Sequence, residues 1–307
     1  MPQLTNSILL IRPKNFFFNI ETSLSNSFQS KMAIGNDTMK KKVQDEFENA
    51  TQKLRSQWID VHIFDDTDTP IKPDAIFPNN WVTFHSDGSI FLYPMFAENR
   101  RNERRMDIIE SLKKDFTVTS VEDLSYFEQK WLYLEGTWSM IFDHENKISY
   151  ACISPRTSKV VLDTFCEKVW YQAVSFTSVD ENMQEIYHTN VMMMIGDCFS
   201  IICLESIRDQ KERNNIVEHL ESTWHEIIDI SLKQVRSFVG NMLHLSTKDG
   251  GTILVLSANA YQSLTKDQEK TIEKYAKFTP LDISTIESIG WWSVRCMIAE
   301  IFLPRKY

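Results

Sequence analysis

The sequence predicts an α/β fold in which strand hairpins and helices alternate along one chain. Three observations predict it. Short apolar runs of strand length, such as residues 7–12 and 199–203, are bounded by turn-forming residues. Longer stretches, such as 40–58 and 209–222, carry apolar positions at helical spacing with a charged opposite face. Two pairs of apolar runs are joined by short polar turns, 138–142 with 148–152 across 143–147, and 191–195 with 199–203 across Gly196-Asp197.

In order, residues 7–12 read as a buried strand that Pro13 ends, 40–58 as an amphipathic helix and 60–64 as a strand. The acidic run 65–70 is a loop, and 74–84 is expected to be a strand interrupted by a polar turn. Residues 90–94 form a further strand, a basic helix is expected over 98–114, and 117–119 continues as strand. A short helix over 125–131 precedes the first hairpin, and a helix over 158–168 separates it from the second. A helix over 209–222, strands at 242–245 and 252–256, a helix over 266–277 and final strands around Cys296 complete the chain. Hairpin and helix thus recur about five times. No repeat is visible residue by residue. No Gly/Ser-rich linker interrupts the chain, so one domain spanning 1–307 is expected.

Composition narrows the function. A hydrophobic fraction of 42% and a charged fraction of 24% are ordinary for a globular protein. The net charge of -9 disfavours nucleic acid and anionic membrane surfaces as partners. No apolar run reaches the length of a membrane span, and residues 1–6 lack the marks of a signal peptide. The five cysteines are odd in number and form no CxxC pair, which points to a reducing, cytoplasmic setting without disulfides or a zinc site. The seven histidines are scattered without ligand spacing, so no metal is expected. Phosphate-binding glycine motifs and the GxSxG turn are absent, and no cofactor is expected.

What remains is a set of polar residues in apolar surroundings. Cys296 lies between Trp291-Trp292 and the run Met297-Ile298-Ala299, next to Arg295. An enclosed thiol near a cation and aromatic walls can be a nucleophile, although a lone cysteine is more often a small core residue. His188 precedes an apolar strand, and Glu135 lies between an apolar run and Gly136. A histidine at a strand mouth is either a satisfied core residue or a base, and the acid either faces solvent or sits in a pocket. Together a thiol, a base and an orienting acid are the parts of an activated cysteine.

Seven segments in order make the combination recognisable. They are Arg12-Pro13-Lys14-Asn15-Phe16, Phe77-Pro78-Asn79-Asn80-Trp81, Tyr93-Pro94-Met95 with Asn99-Arg100-Arg101, Leu134-Glu135-Gly136-Thr137, Ser154-Pro155-Arg156-Thr157-Ser158, Tyr187-His188-Thr189-Asn190-Val191-Met192 and the segment around Cys296. The chain resembles the guanidino-group-modifying enzymes of the pentein superfamily, which include arginine deiminases, dimethylarginine hydrolases and amidinotransferases. It is most similar to their citrulline-hydrolysing branch. The resemblance implies a five-bladed α/β propeller of ββαβ-type units around a buried polar site. It implies Cys296 as nucleophile, His188 as general acid and base, and Glu135 as the acid that holds the histidine. Arg156 and Arg100 match arginines that clamp the substrate carboxylate, a task for which the guanidinium fork is suited. Arg156 is the stronger candidate, because Arg100, Arg101, Arg104 and Arg105 also read as a solvated helix face. Asp74 matches a carboxylate that contacts the substrate's terminal nitrogens.

Three departures from the wider family bear on the substrate. Asn79 and Asn80 stand where dimethylarginine hydrolases carry acids, and Asn190 stands where arginine deiminases carry aspartate. Asparagine offers an acceptor and donors without a charge, which suits a neutral ureido group better than a guanidinium. Citrulline, hydrolysed to ornithine, ammonia and carbon dioxide through an S-carbamoyl enzyme, is therefore the expected substrate. Arginine or methylarginine is the competing substrate, and a non-catalytic pentein binding module the competing class. The only partner expected is a small amino acid, and the oligomeric state, a homo-oligomer included, is left open.

Overall fold

The computed structural model describes residues 1–23 and 37–306. Its strands form five sheets of three. The first strand, β1 (Ser7–Arg12), leads through helices α1 (Ile20–Ser23) and α2 (Asp37–Ser56) to β2 (Asp60–Asp65), which pairs parallel to it. The hairpin β3 (Val82–Phe84) and β4 (Ser89–Leu92) is followed by helix α3 (Met106–Leu112) and β5 (Ser120–Asp123), parallel to β4. A helical turn α4 (Gly136–Ser139) opens the next unit, with hairpin β6 (Ile141–Asp143) and β7 (Ile148–Cys152), helix α5 (Lys159–Val169) and β8 (Gln172–Phe176). The pattern repeats with β9 (Met193–Ile195), β10 (Phe199–Ile202), α6 (Gln210–Ser222) and β11 (Glu226–Asp229).

After α7 (Leu232–Arg236) it repeats once more with β12 (Leu243–Ser246), β13 (Thr252–Ser257), α8 (Ala258–Gln262), α9 (Lys266–Ile272) and β14 (Lys277–Leu281). The chain then passes α10 (Ser284–Gly290) and α11 (Val294–Met297). It ends with β15 (Ala299–Glu300), antiparallel to β1, so the last strand completes the first sheet. Every sheet therefore has the same plan: a middle strand antiparallel to an inner strand and parallel to an outer one that follows a helix.

Burial explains which strands the sequence announces. The middle strands β1, β4, β7, β10 and β13 are almost wholly buried, so they read as continuous apolar runs. The outer strands β2, β5, β8 and β11 keep one or both faces half exposed. β8, β11 and β14 carry too little apolar signal to be recognised, and the sequence reading misses all three, together with α7 and α10. A structural repeat does survive in the outer layer. α2, α5 and α6 each run into an exposed tryptophan, Trp58, Trp170 or Trp224, with φ of 63°, 59° and 62°. Each tryptophan lies two residues before its outer strand, in the left-handed conformation that closes a helix C-terminus.

Other expectations change. The segment 74–81 is a series of turns with a 3-10 turn at Pro78–Asn80, and strand begins only at Val82. The basic segment is a 3-10 turn, Glu98–Glu103, then the short helix α3, and it is not a solvated helix face at Arg100, which is fully buried. The strand expected at 117–119 lies at Ser120–Asp123, that expected from 138 starts at Ile141, and Cys296 lies on a helical turn. Of the other four cysteines, Cys152, Cys166 and Cys203 are core residues and Cys198 is exposed. Among the described residues no helix is long and apolar enough to cross a membrane.

Candidate active site

The inner strands share a feature that places the site. Each is preceded by a short polar turn, and these turns pack on one another: Pro78–Asn80 before β3, α4 before β6, the 3-10 turn Thr189–Val191 before β9, and α11 before β15. The close approach depends on glycine. Gly136, at φ +45°, begins α4, and a Cβ there would lie 2.3 Å from the Asn79 carbonyl oxygen. Residues from four distant parts of the sequence thus reach one buried region.

His188 and Glu135 meet there. The His188 Nε2 lies 2.6 Å from Glu135 Oε2, and both residues are fully buried. The other carboxylate oxygen of Glu135 accepts the Phe96 backbone N–H at 3.0 Å. Burial pushes the Glu135 carboxyl up, but Arg156, with Nη1 at 3.7 Å, and the His188 hydrogen bond outweigh it and hold the group at about 2. Burial dominates for His188 and pulls it down to about 4, against the pull of Glu135. The pair is therefore a carboxylate and a neutral imidazole. Nε2 donates to Glu135, which leaves Nδ1 as the acceptor nitrogen, buried and without a hydrogen-bond partner. Trp138 packs edge-on against the imidazole, ring centroids 4.7 Å apart, and fixes its plane.

Cys296 is completely buried. Its Sγ receives the Asn190 amide Nδ2 at 3.3 Å and the Asn241 amide Nδ2 at 3.4 Å. Burial lifts the thiol to about 11 despite these amides, so the resting sulfur is protonated. Arg295, the cation that the sequence places beside it, is turned away: its guanidinium bonds the Ile298 carbonyl and Glu300.

The two arginines differ. Arg156 is fully buried, donates from Nη2 to the Thr22 carbonyl at 2.9 Å, and lies over the Phe96 and Tyr187 rings at 5.5 and 5.4 Å. Arg100 grips Glu103 through two hydrogen bonds of 2.9 and 2.8 Å and lies over Trp138 at 4.4 Å and Trp292 at 5.2 Å. Asp74 lies 3.7 Å from Arg100 and accepts the Asn19 amide at 2.6 Å; burial raises its carboxyl above the usual range, against Arg100. Asn79 donates to Thr137 Oγ1 at 3.1 Å. The side-chain oxygens of Asn79, Asn80 and Asn190 and the Asn80 nitrogen are buried without partners. Unmet buried amides of this kind are costly unless a ligand satisfies them. Among the described residues no group of three His, Cys, Asp or Glu side chains could hold a metal ion.

All nine residues singled out in the sequence are buried. Glu135, His188 and Arg156 form one group, Asp74 and Arg100 a second, and Cys296 with Asn190 a third; Asn79 and Asn80 lie on the turn before β3. The sequence reading missed Asn241, Trp138, Asn19 and Glu103. Gly240-Asn241 before an apolar strand was the available signal for the first; the others read as ordinary core or surface residues.

A family model, N,N dimethylarginine dimethylhydrolase, eukaryotic, matches residues 12–303. The chain belongs to that family. It is accordingly a hydrolase of the guanidino-group-modifying pentein superfamily. Solved structures of similar fold agree. The N-terminal domain of ArgZ, an arginine dihydrolase of cyanobacteria bound to its substrate, superposes with a TM-score of 0.74 at 14% identity, over 97% of this chain and 99% of that one. Full-length ArgZ superposes at 0.76 and 13% identity, covering 97% of this chain and 41% of its own. The dimethylarginine hydrolase of Pseudomonas aeruginosa, complexed with citrulline, superposes at 0.67 and 15% identity, over 99% and 100% of the two chains. At these identities the likeness is one of fold. No curated protein matches the chain.

Proposed function

We propose that this family member is a cysteine-dependent hydrolase of citrulline, with one catalytic domain whose five units close into a propeller around the site. The observation that carries the substrate is the amide lining. The side chains on the Cys296 sulfur are the amides of Asn190 and Asn241, and Asn79 and Asn80 present unpaired amide atoms. A ureido group has one carbonyl acceptor and several N–H donors, and amides can satisfy both without leaving a buried charge. A guanidinium would bury a cation against these neutral amides, and the nearby carboxylates of Asp74 and Glu135 already face Arg100 and Arg156.

In the reaction, the Cys296 thiol passes its proton to Nδ1 of His188, and the sulfur bonds to the ureido carbon. The bond from that carbon to the δ-nitrogen breaks as His188 returns the proton to nitrogen, releasing ornithine. A water then adds to the S-carbamoyl carbon while His188 takes its proton. The C–S bond breaks, the thiol is restored, and carbamate decomposes to ammonia and carbon dioxide. Glu135 holds the imidazole in the tautomer with Nδ1 open. Arg156 receives the amino acid's carboxylate, with Arg100 and Asp74 nearer the substrate's other polar groups. No cofactor enters, and the cytoplasm, where thiols stay reduced, suits the chemistry.

The family match favours a second substrate, N,N-dimethylarginine, cleaved to citrulline and dimethylamine. Purified protein is incubated with L-citrulline, L-arginine and N,N-dimethylarginine, and ornithine, citrulline, ammonia and dimethylamine are quantified. Ornithine from citrulline is the expected result. Citrulline formed from either guanidino substrate, with no ornithine from citrulline, overturns the substrate reading.

A further inference from the structure

Four of the five polar turns before the inner strands deliver residues with a part in the reaction above. The fifth, before β12, is Gly240-Asn241, and the reaction as written makes no use of it. Asn241 is buried, and its side chain makes its hydrogen bonds within the site. Its Oδ1 accepts the Arg295 backbone N–H at 3.1 Å and, while the sulfur is a thiol, the Cys296 S–H at 3.7 Å. Its Nδ2 donates to the Asn190 carbonyl at 2.9 Å and to Cys296 Sγ at 3.4 Å. The first contact fixes the amide's orientation, because a backbone N–H can meet only the oxygen. The NH2 must then face Asn190 and the sulfur. Gly240 brings the turn close enough: a Cβ on it would lie 2.4 Å from the Val191 carbonyl oxygen and 2.8 Å from Met192 Cα.

We propose that Asn241 is the second arm of an amide cradle that holds the Cys296 sulfur as thiolate, and that it also positions the first arm, Asn190, through that residue's carbonyl. The inference rests on Cys296 being the nucleophile. Its physical basis is the isolation of the sulfur. A buried thiolate needs donors or a cation. The Arg295 guanidinium is engaged by Ile298 and Glu300, so the side-chain donors on the sulfur are the two amides, beside a backbone hydrogen bond from Ser293. Hydrogen bonds to a charged acceptor strengthen as the charge forms, so the cradle favours the thiolate over the thiol. Asn241 joins the turn that carries His188 and Asn190 to the turn that carries Cys296, and so holds base and nucleophile in register.

The test compares the intact protein with Asn241→Asp and Asn241→Ala. Asn241→Asp retains the acceptor for the Arg295 N–H, and with it the turn, but removes the donors. The pH dependence of iodoacetamide alkylation is followed on the peptide containing Cys296 by mass spectrometry, with the peptide containing the exposed Cys198 as an internal control. The expected result is an apparent thiol pKa about one unit or more higher in both variants. Below that pKa this is an alkylation rate about tenfold lower. The Cys198 profile is unchanged, and citrulline turnover falls in kcat. A wild-type Cys296 profile in Asn241→Asp overturns the proposal. If the shift appears but the wild-type protein cleaves none of the three substrates, the cradle stands and the function reading fails.

Discussion

At the scale of single residues, the site is a neutral imidazole and a protonated thiol, both fully buried. Burial sets both, since it disfavours imidazolium and thiolate alike. Cys296→Ala is expected to retain the fold and lose at least about 10³-fold in kcat, because no other group can form the covalent intermediate. Measuring ornithine release beside circular dichroism checks both halves. Arg156→Lys is expected to raise KM for citrulline roughly 10–100-fold with a smaller effect on kcat, since an ammonium cannot make the two-point contact of a guanidinium. The asparagines give the sharpest substrate test. Asn79→Asp with Asn80→Asp is expected to raise the arginine-to-citrulline ratio of kcat/KM by about tenfold or more, one buried charge pair being worth several kcal/mol. An unchanged or falling ratio would remove the amide argument. The residues proposed for this chemistry were legible because Cys, His, Glu and Arg are conspicuous in apolar surroundings. Asn241 was not, since a lone asparagine after glycine reads as a turn.

At the scale of elements, the working parts are the short turns that open the inner strands, and glycine lets them touch. Gly136→Ala places a methyl group against the Asn79 carbonyl and a side chain at positive φ. It is expected to lower Tm by several degrees and to abolish turnover, because α4 also carries Glu135 at its head and Trp138 against His188. Differential scanning calorimetry and the citrulline assay read the two effects, and a variant with native Tm and kcat would show that the approach is not needed. Elements were legible in proportion to their burial. β1, β7 and β10 are buried along nearly their whole length and announce themselves, whereas β8, β11 and β14 are half exposed and look like loop. The segment 74–84 misled in the other direction. It is apolar because it is buried, but Pro78 and the asparagines fold its first part into turns.

At the scale of the whole molecule, five copies of one plan put the polar turns of the candidate site at the ends where the inner strands begin, and the hairpin turns at the opposite ends. Those opposite ends carry His85, His144 and His244, all buried. His244 is held at about 4 by burial, and its Nδ1 accepts the Asp197 N–H, so it is neutral. A histidine lowered from 6.5 to about 4 binds its proton more readily in the unfolded chain. Its contribution to stability is full above pH 6.5 and is lost as pH falls toward 4. His244→Gln, which keeps an acceptor without a titration, is expected to flatten the fall in Tm between pH 6.5 and 4. Glu103 and Glu287, raised to about 7, run the other way but are common to both proteins, so the difference isolates His244. Equal slopes would refute the assignment. By itself the sequence determined the fold class, the fivefold recurrence, the family and the residues proposed for the chemistry, because burial and reactivity select residue types that stand out along a chain. Only the tertiary structure decided what those residues do to one another: that His188 keeps Nδ1 open, that Arg295 turns from the sulfur while Asn241 turns to it, and that Arg100 is buried beneath aromatic rings. These depend on contacts between residues tens to hundreds of positions apart, and such distances leave no periodic mark in a single sequence.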